Sequence, residues 1–170
     1  MKKHIIPIIL LGYFGLLFLL LIGLETYWYL YEKPQSQPIA FSHQIHVLKM
    51  TLPCDLCHMY ATKSISAGIP SVSKCMDCHS GIATDKPEIK KILKYWQNRK
   101  PIPWVRIHSL PDFVYFSHKR HLKMGIDCSE CHGDAKAMAT IRKVRSLKMG
   151  WCITCHKSRS APTDCLTCHK

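Results

Sequence analysis

Phe116-Ser117-His118-Lys119-Arg120-His121, a six-residue spacer, then Cys128-Ser129-Glu130-Cys131-His132 is the stretch whose reading decides how this chain folds. It joins a CxxCH unit to two upstream histidines. The unit recurs as Cys54/Cys57/His58, Cys75/Cys78/His79, Cys152/Cys155/His156 and Cys165/Cys168/His169, so five copies use all 10 cysteines. Covalent haem attachment needs this order of residues: two thioethers fix the porphyrin edge and the next residue brings an imidazole to the iron. A disulfide framework has no use for the histidine. Zinc sites also draw on CxxC pairs and histidines, but not on a histidine adjoining the second cysteine in every copy. The motifs therefore predict five covalently bound haem c groups. Cys54, Cys57, Cys75, Cys78, Cys128, Cys131, Cys152, Cys155, Cys165 and Cys168 would attach them. His58, His79, His132, His156 and His169 would be the proximal iron ligands.

Composition agrees. The chain has 170 residues and is 47% apolar, a fraction inflated by its N-terminus. Beyond the first 31 residues about 139 remain, roughly 28 per haem. Segments that short cannot bury a core of their own and need a covalent or metal staple. The predicted fold is mostly irregular with short α-helices, of multihaem cytochrome c type, with porphyrin as much of the core and little regular sheet. The formal charge of +13 would be offset in large part by haem propionates, the remainder suiting an acidic redox partner. No nucleic-acid motif is present.

Outward towards the N-terminus, Met1-Lys2-Lys3-His4 precedes an apolar run from Ile5 to Leu24. Twenty helical residues at about 1.5 Å each span roughly 30 Å, the thickness of bilayer hydrocarbon. Tyr27, Trp28, Tyr29 and Tyr31 form an aromatic belt, where a cleaved leader would carry small residues. The expected element is one uncleaved transmembrane helix in the inner membrane. Lys2 and Lys3 place its N-terminus in the cytoplasm and the haem body in the periplasm, and put His4 on the wrong side for a haem ligand.

The expected divisions are an anchor over 1–31, a Pro/Gln linker over 32–40, a dihaem module over 41–84, a connecting helix and Pro-rich linker over 85–105, and a trihaem module over 106–170. The modules rest on a repeat: Phe41-Ser42-His43-Gln44-Ile45-His46 precedes Cys54 as Phe116–His121 precedes Cys128. Between them Asp85–Lys100 reads as a helix, N-capped by Asp85, with Ile89, Ile92, Leu93 and Trp96 on one face and Pro101 and Pro103 ending it. A second short helix is expected over Ala135–Leu147.

The sixth iron position separates electron transfer from catalysis, because an open iron binds a small substrate. Five histidines lie outside the motifs and His4: His43, His46, His108, His118 and His121. They equal the predicted haems in number. Met149 and Met138 are the competing ligands, in a region with no spare histidine. With five motifs ending in histidine and enough sixth ligands, no catalytic residue is assigned, and the chain is not expected to be an enzyme on its own.

The Phe-x-His-x-x-His pattern ahead of CxxCH resembles the class III multihaem cytochromes c. That resemblance implies that His43 serves the Cys54/Cys57 haem and His118 the Cys128/Cys131 haem, while His46 and His121 reach neighbouring haems. A longer match is similar to the pentahaem subunit of alternative complex III and to multihaem subunits of quinone reductase complexes. It is carried by the anchor, Phe41–His46, Pro101-Ile102-Pro103-Trp104-Val105-Arg106-Ile107-His108 through His121, and Met149-Gly150-Trp151-Cys152. It implies partners: a polytopic quinol-binding subunit, an iron–sulfur, molybdopterin-enzyme-like subunit and a periplasmic acceptor. The implied role is to carry electrons from quinol oxidation to that acceptor. The alternatives are a stand-alone anchored quinol dehydrogenase or a periplasmic multihaem carrier.

Overall fold

Helix α1 (Ile5–Glu32) stands as one unit, and residues 34–170 form a second compact unit. The computed structural model describes residues 5–32 and 36–169. Lys2, Lys3 and His4, the side chain of Tyr31 and part of the 32–40 linker lie outside the described residues.

Pro7 sits in the first turn of α1, where its missing N–H costs no helical bond. Ile5–Leu30 has mean hydropathy 2.8 and is long and apolar enough to cross a membrane. Its described side chains are exposed on every face, the pattern of a helix surrounded by an apolar medium.

The second unit contains a π-helical turn (Gln44–Lys49), α2 (Cys54–Cys57), α3 (Val72–His79), α4 (Pro87–Gln97), α5 (His118–Lys123), α6 (Cys128–His132), a 3₁₀ turn (Ala135–Ala137), α7 (Met149–Ser158) and α8 (Cys165–Cys168). Each CxxCH motif therefore carries a helical turn. Among the described residues the only β pairing is an isolated bridge between Val114 and His169. Capping comes from local side chains. Ser117 Oγ accepts the Arg120 N–H at the start of α5, Asp127 accepts from Ser129 N–H before α6, and Asp164 accepts from Thr167 N–H before α8.

Two expectations change. The connecting helix is shorter than Asp85–Lys100 and is capped at Lys86, not Asp85. Pro87 takes N1, where proline is preorganised for a helix, and Asp85 pairs with Lys86 instead. Its end is set before the prolines, by Asn98 and by Arg99 at φ 51, a left-handed C-terminal turn. Its inward face is also rotated: Ile92 is buried, with Ile89 and Tyr95 packed beside it, whereas Leu93 and Trp96 are exposed. The helix over Ala135–Leu147 does not form. Only Ala135–Ala137 makes a 3₁₀ turn; Met138 is extended and its carbonyl accepts the Gln44 N–H at 3.1 Å. Tertiary demand for that carbonyl overrides local helix propensity.

The polypeptide core is small. Among the described residues only Ile39, Ile92 and Ile102 are buried hydrophobics, with Val72, Cys75, Met76, Ile89, Tyr95 and Trp104 against them. The accessible surface is 13427 Å², whereas a folded chain of 19.6 kDa exposes about 8,600 Å². The exposed α1 and the three-residue polypeptide core both contribute to this excess.

Candidate haem sites

No disulfide joins any of the ten cysteines, which are half-buried or exposed. Burial is the first cause raising the Cys57, Cys75, Cys128, Cys131 and Cys152 thiols above their ordinary pKa. Among the described residues no three His, Cys, Asp or Glu side chains converge as a metal cluster, and zinc would need four donors. Histidine rings meet two at a time instead.

His43 faces His58 with ring centroids 6.4 Å apart and planes 2° from parallel. His118 faces His132 at 6.4 Å and 5°. His46 meets His79 at 6.0 Å, and His121 meets His156 at 6.0 Å. Two imidazoles on opposite sides of one metal, with metal–nitrogen bonds of about 2 Å, have centroids about 6.3 Å apart. The four pairs fit one iron each, and each joins a CxxCH histidine to an upstream one.

Backbone carbonyls orient these rings. Each of the following rings has its Nδ1 at hydrogen-bond distance from a carbonyl: His58 to Gly68 (2.7 Å), His79 to Ile82 (3.0 Å), His156 to Pro162 (2.6 Å) and His169 to Phe113 (3.3 Å). On the upstream side His46 meets Ser42 O (2.8 Å), His121 meets Ser117 O (2.8 Å) and His118 meets Ile65 O (3.0 Å). An N–H at Nδ1 fixes the tautomer, leaves the Nε2 lone pair for a metal and raises its donor strength. Phe41 stacks on His46 at 4.4 Å, and Phe116 lies 4.4 Å from His121. This explains the aromatic residue that opens each repeat. The carbonyl acceptors had no side-chain signal in the sequence.

Burial lowers His43 to a pKa of about 4, helped by the neighbouring His58 and His46. Burial, then His108, His118 and His58, lowers His132 to about 4. Both rings are neutral at pH 7, the form that ligates metal. His43 Nδ1 and His108 Nε2 are buried without a hydrogen-bond partner. The His108 ring stands edge-on to His132 at 4.4 Å, too close for both to share an iron. Met149 opens α7 with its side chain exposed, and Met138 lies beside Gly133. The ring neighbour of His169 is Phe113, at 5.6 Å.

A family profile for the class III cytochromes c matches residues 29–108, and one for cytochrome c7 and related cytochromes c matches residues 114–170. The multihaem cytochrome c subunit of menaquinone reductase from Nitratidesulfovibrio vulgaris is 27% identical over 183 aligned positions, covering 92% of this chain and 87% of the relative. Cytochrome c3 of Desulfuromonas acetoxidans is 41% identical over 56 residues, covering 33% of this chain and 79% of that protein. With cysteine pairs, paired imidazoles and these matches in agreement, the chain belongs to the class III multihaem cytochrome c family.

Proposed function

We propose that this chain is the membrane-anchored electron-transfer subunit of a quinone oxidoreductase complex of the menaquinone reductase type, with five haems c attached at its five CxxCH motifs. The observation that carries the proposal is the set of four imidazole pairs at 6.0–6.4 Å. Haem c held there supplies one-electron Fe(III)/Fe(II) chemistry. The chain's own residues do the rest. Thioethers from the cysteine pairs would fix each porphyrin edge, and the four imidazole pairs would supply the iron ligands of the first four sites, with His43 and His132 held neutral by burial. The carbonyls of Gly68, Ile82 and Pro162 hold the motif rings in place, which suits transfer without rearrangement. His108 is available for a further iron, with Met149 and Met138 as the competing ligands. α1 anchors the chain in the cytoplasmic membrane, with the haem body in the periplasm. Its partners are a polytopic quinone-binding subunit, an iron–sulfur, molybdopterin-enzyme-like subunit and a soluble periplasmic redox protein.

The menaquinone reductase reading is supported by a relative that matches nearly end to end. The reverse direction, quinol oxidation as in alternative complex III, is favoured by the resemblance over Pro101–His121 and Met149–Cys152. Both use the same row of sites. The test is gentle solubilisation followed by anaerobic mixing with a menaquinone analogue. Co-purification with polytopic and iron–sulfur subunits, and oxidation of pre-reduced haems by the quinone, are expected. Recovery of the chain alone, or haems inert to both quinone and quinol, would overturn the proposal. Reduction by quinol with no oxidation by quinone selects the second direction.

A further inference from the structure

The two repeats exchange the same hydrogen bond in opposite directions. Gln44 N–H donates to Met138 O at 3.1 Å, and Lys119 N–H donates to Ser64 O at 3.1 Å. Gln44 and Lys119 each follow the first histidine of their repeat, while Ser64 and Met138 each lie six residues beyond their motif histidine. Equivalent residues thus bond across the join, which is the signature of a local pseudo-twofold axis between the first and third motifs. At the join His118 N–H and His118 Nδ1 also meet Ile65 O, at 3.1 and 3.0 Å.

Outward from the join the neighbours continue in both directions. His43 and His46, three residues apart, face His58 of the first motif and His79 of the second at 6.4 and 6.0 Å, linking the two. On the other side Cys131 lies near Cys155 and Cys152, and Arg159 of the α7 C-cap reaches Glu130 of α6 at 3.3 Å, linking the third motif to the fourth. Only eight residues separate His156 from Cys165, and the Pro162 carbonyl among them lies 2.6 Å from His156 Nδ1, which holds the fifth motif beside the fourth.

We infer that the five attachment sites form one unbranched row in the order second, first, third, fourth, fifth, with the pseudo-twofold axis between the first and third. The row departs from sequence order at its start. The second motif, held beside α4 and the small isoleucine core, is one terminus, and the C-terminal fifth motif is the other. An electron crossing between the halves passes from the first site to the third; the giving site is oxidised by one electron as the receiving site is reduced. The fifth site lengthens the row on one side only. The inference rests on haem attachment at all five motifs, and does not depend on the quinone assignment.

The test is proton NMR of the fully reduced, diamagnetic holoprotein, full chain in detergent, reading nuclear Overhauser contacts between haem substituents. Contacts are expected for the pairs 2–1, 1–3, 3–4 and 4–5. The Cys165→Ala/Cys168→Ala variant should lose the fifth haem and only the 4–5 contacts. If that variant does not fold, His46→Met marks the second haem by its shifted resonances, and that haem should contact only the first. Contacts of type 2–3, 2–4, 2–5, 1–4, 1–5 or 3–5 would overturn the row. A mass short of five haems sinks the haem count and the row with it. A confirmed row in a complex that no quinone oxidises or reduces leaves the inference standing and removes the quinone assignment.

Discussion

In the first repeat His43 stands 11 positions before Cys54, and in the second His118 stands 10 before Cys128. The extra residue is absorbed downstream of the second histidine. Met50 N–H reaches five residues back to Ile45 O at 3.0 Å, whereas Met124 N–H reaches four back to Arg120 O at 3.3 Å. The first segment is therefore a π-helical turn and the second an α-helix, the usual way for a helix to accept one insertion. Upstream nothing changes. Phe41–His43 and Phe116–His118 have centroids 4.9 and 4.8 Å apart, and the two facing ring pairs are both at 6.4 Å. Insertion is tolerated because the paired histidines are positioned by the Phe-Ser-His-x-x-His turn and not by the spacer.

The repeats do differ in what they give each other. The second donates three hydrogen bonds to Ser64 and Ile65 of the first: Lys119 N–H, His118 N–H and, at 3.0 Å, His118 Nδ1. The first returns the Gln44 bond to Met138, and His43 Nδ1 is buried without a partner. Replacing an attachment pair is the severest way to break the comparison, since it removes a piece of the core. Cys128→Ala/Cys131→Ala and Cys54→Ala/Cys57→Ala should each lose one haem by mass. The third-motif variant should lose more far-UV dichroism, because it loosens the brace on its neighbour. Equal losses would mean the brace carries no weight.

A smaller effect separates the two upstream histidines. His118→Ala and His43→Ala each open one iron and should produce a high-spin ferric signal in electron paramagnetic resonance. His118→Ala also removes a hydrogen bond, worth about 1 kcal/mol, so its urea midpoint should fall further. Equal midpoints would show that the Ile65 carbonyl contributes nothing. In the parent, the first site has one carbonyl-held ring, while the second and fourth sites have two each.

What the sequence discloses follows from the range of the interactions. CxxCH is local covalent chemistry, so attachment sites and their helical turns can be read residue by residue. The scarcity of sheet follows from too few residues per haem. The inward face of α4 differs from the periodic one because Leu93 and Trp96 fit the helical period as well as Tyr95 does; the choice is made by Ile39, distant in sequence, together with Ile102 just past the helix end. The helix missing from Ala135–Leu147 likewise yields to a long-range demand, the bond from Gln44. The ring-holding carbonyls of Gly68, Ile82, Ile65 and Pro162 are backbone atoms that every residue has, and only folding shows which ones face a histidine.

The smallest effect lies at the turn that closes each repeat, and it tests the insertion account most directly. Leu52 N–H bonds His46 O and Ile126 N–H bonds His121 O, so Thr51 and Gly125 hold equivalent places. Both have positive φ, 54 for Thr51 and 73 for Gly125. Glycine adopts this region freely, while a β-branched residue there is strained. Thr51→Gly relieves that strain but adds freedom to the unfolded chain and removes the Thr51 Oγ1 bond to Met50 O; the net expectation is a gain of about 0.5 kcal/mol. A Cβ on Gly125 meets no atom within 4 Å, so Gly125→Ala costs only backbone strain, about 1 kcal/mol. Urea midpoints of the two holoproteins should therefore move in opposite directions. A shared direction would mean that the two turns are not equivalent, and the one-residue insertion would have to lie elsewhere in the first repeat.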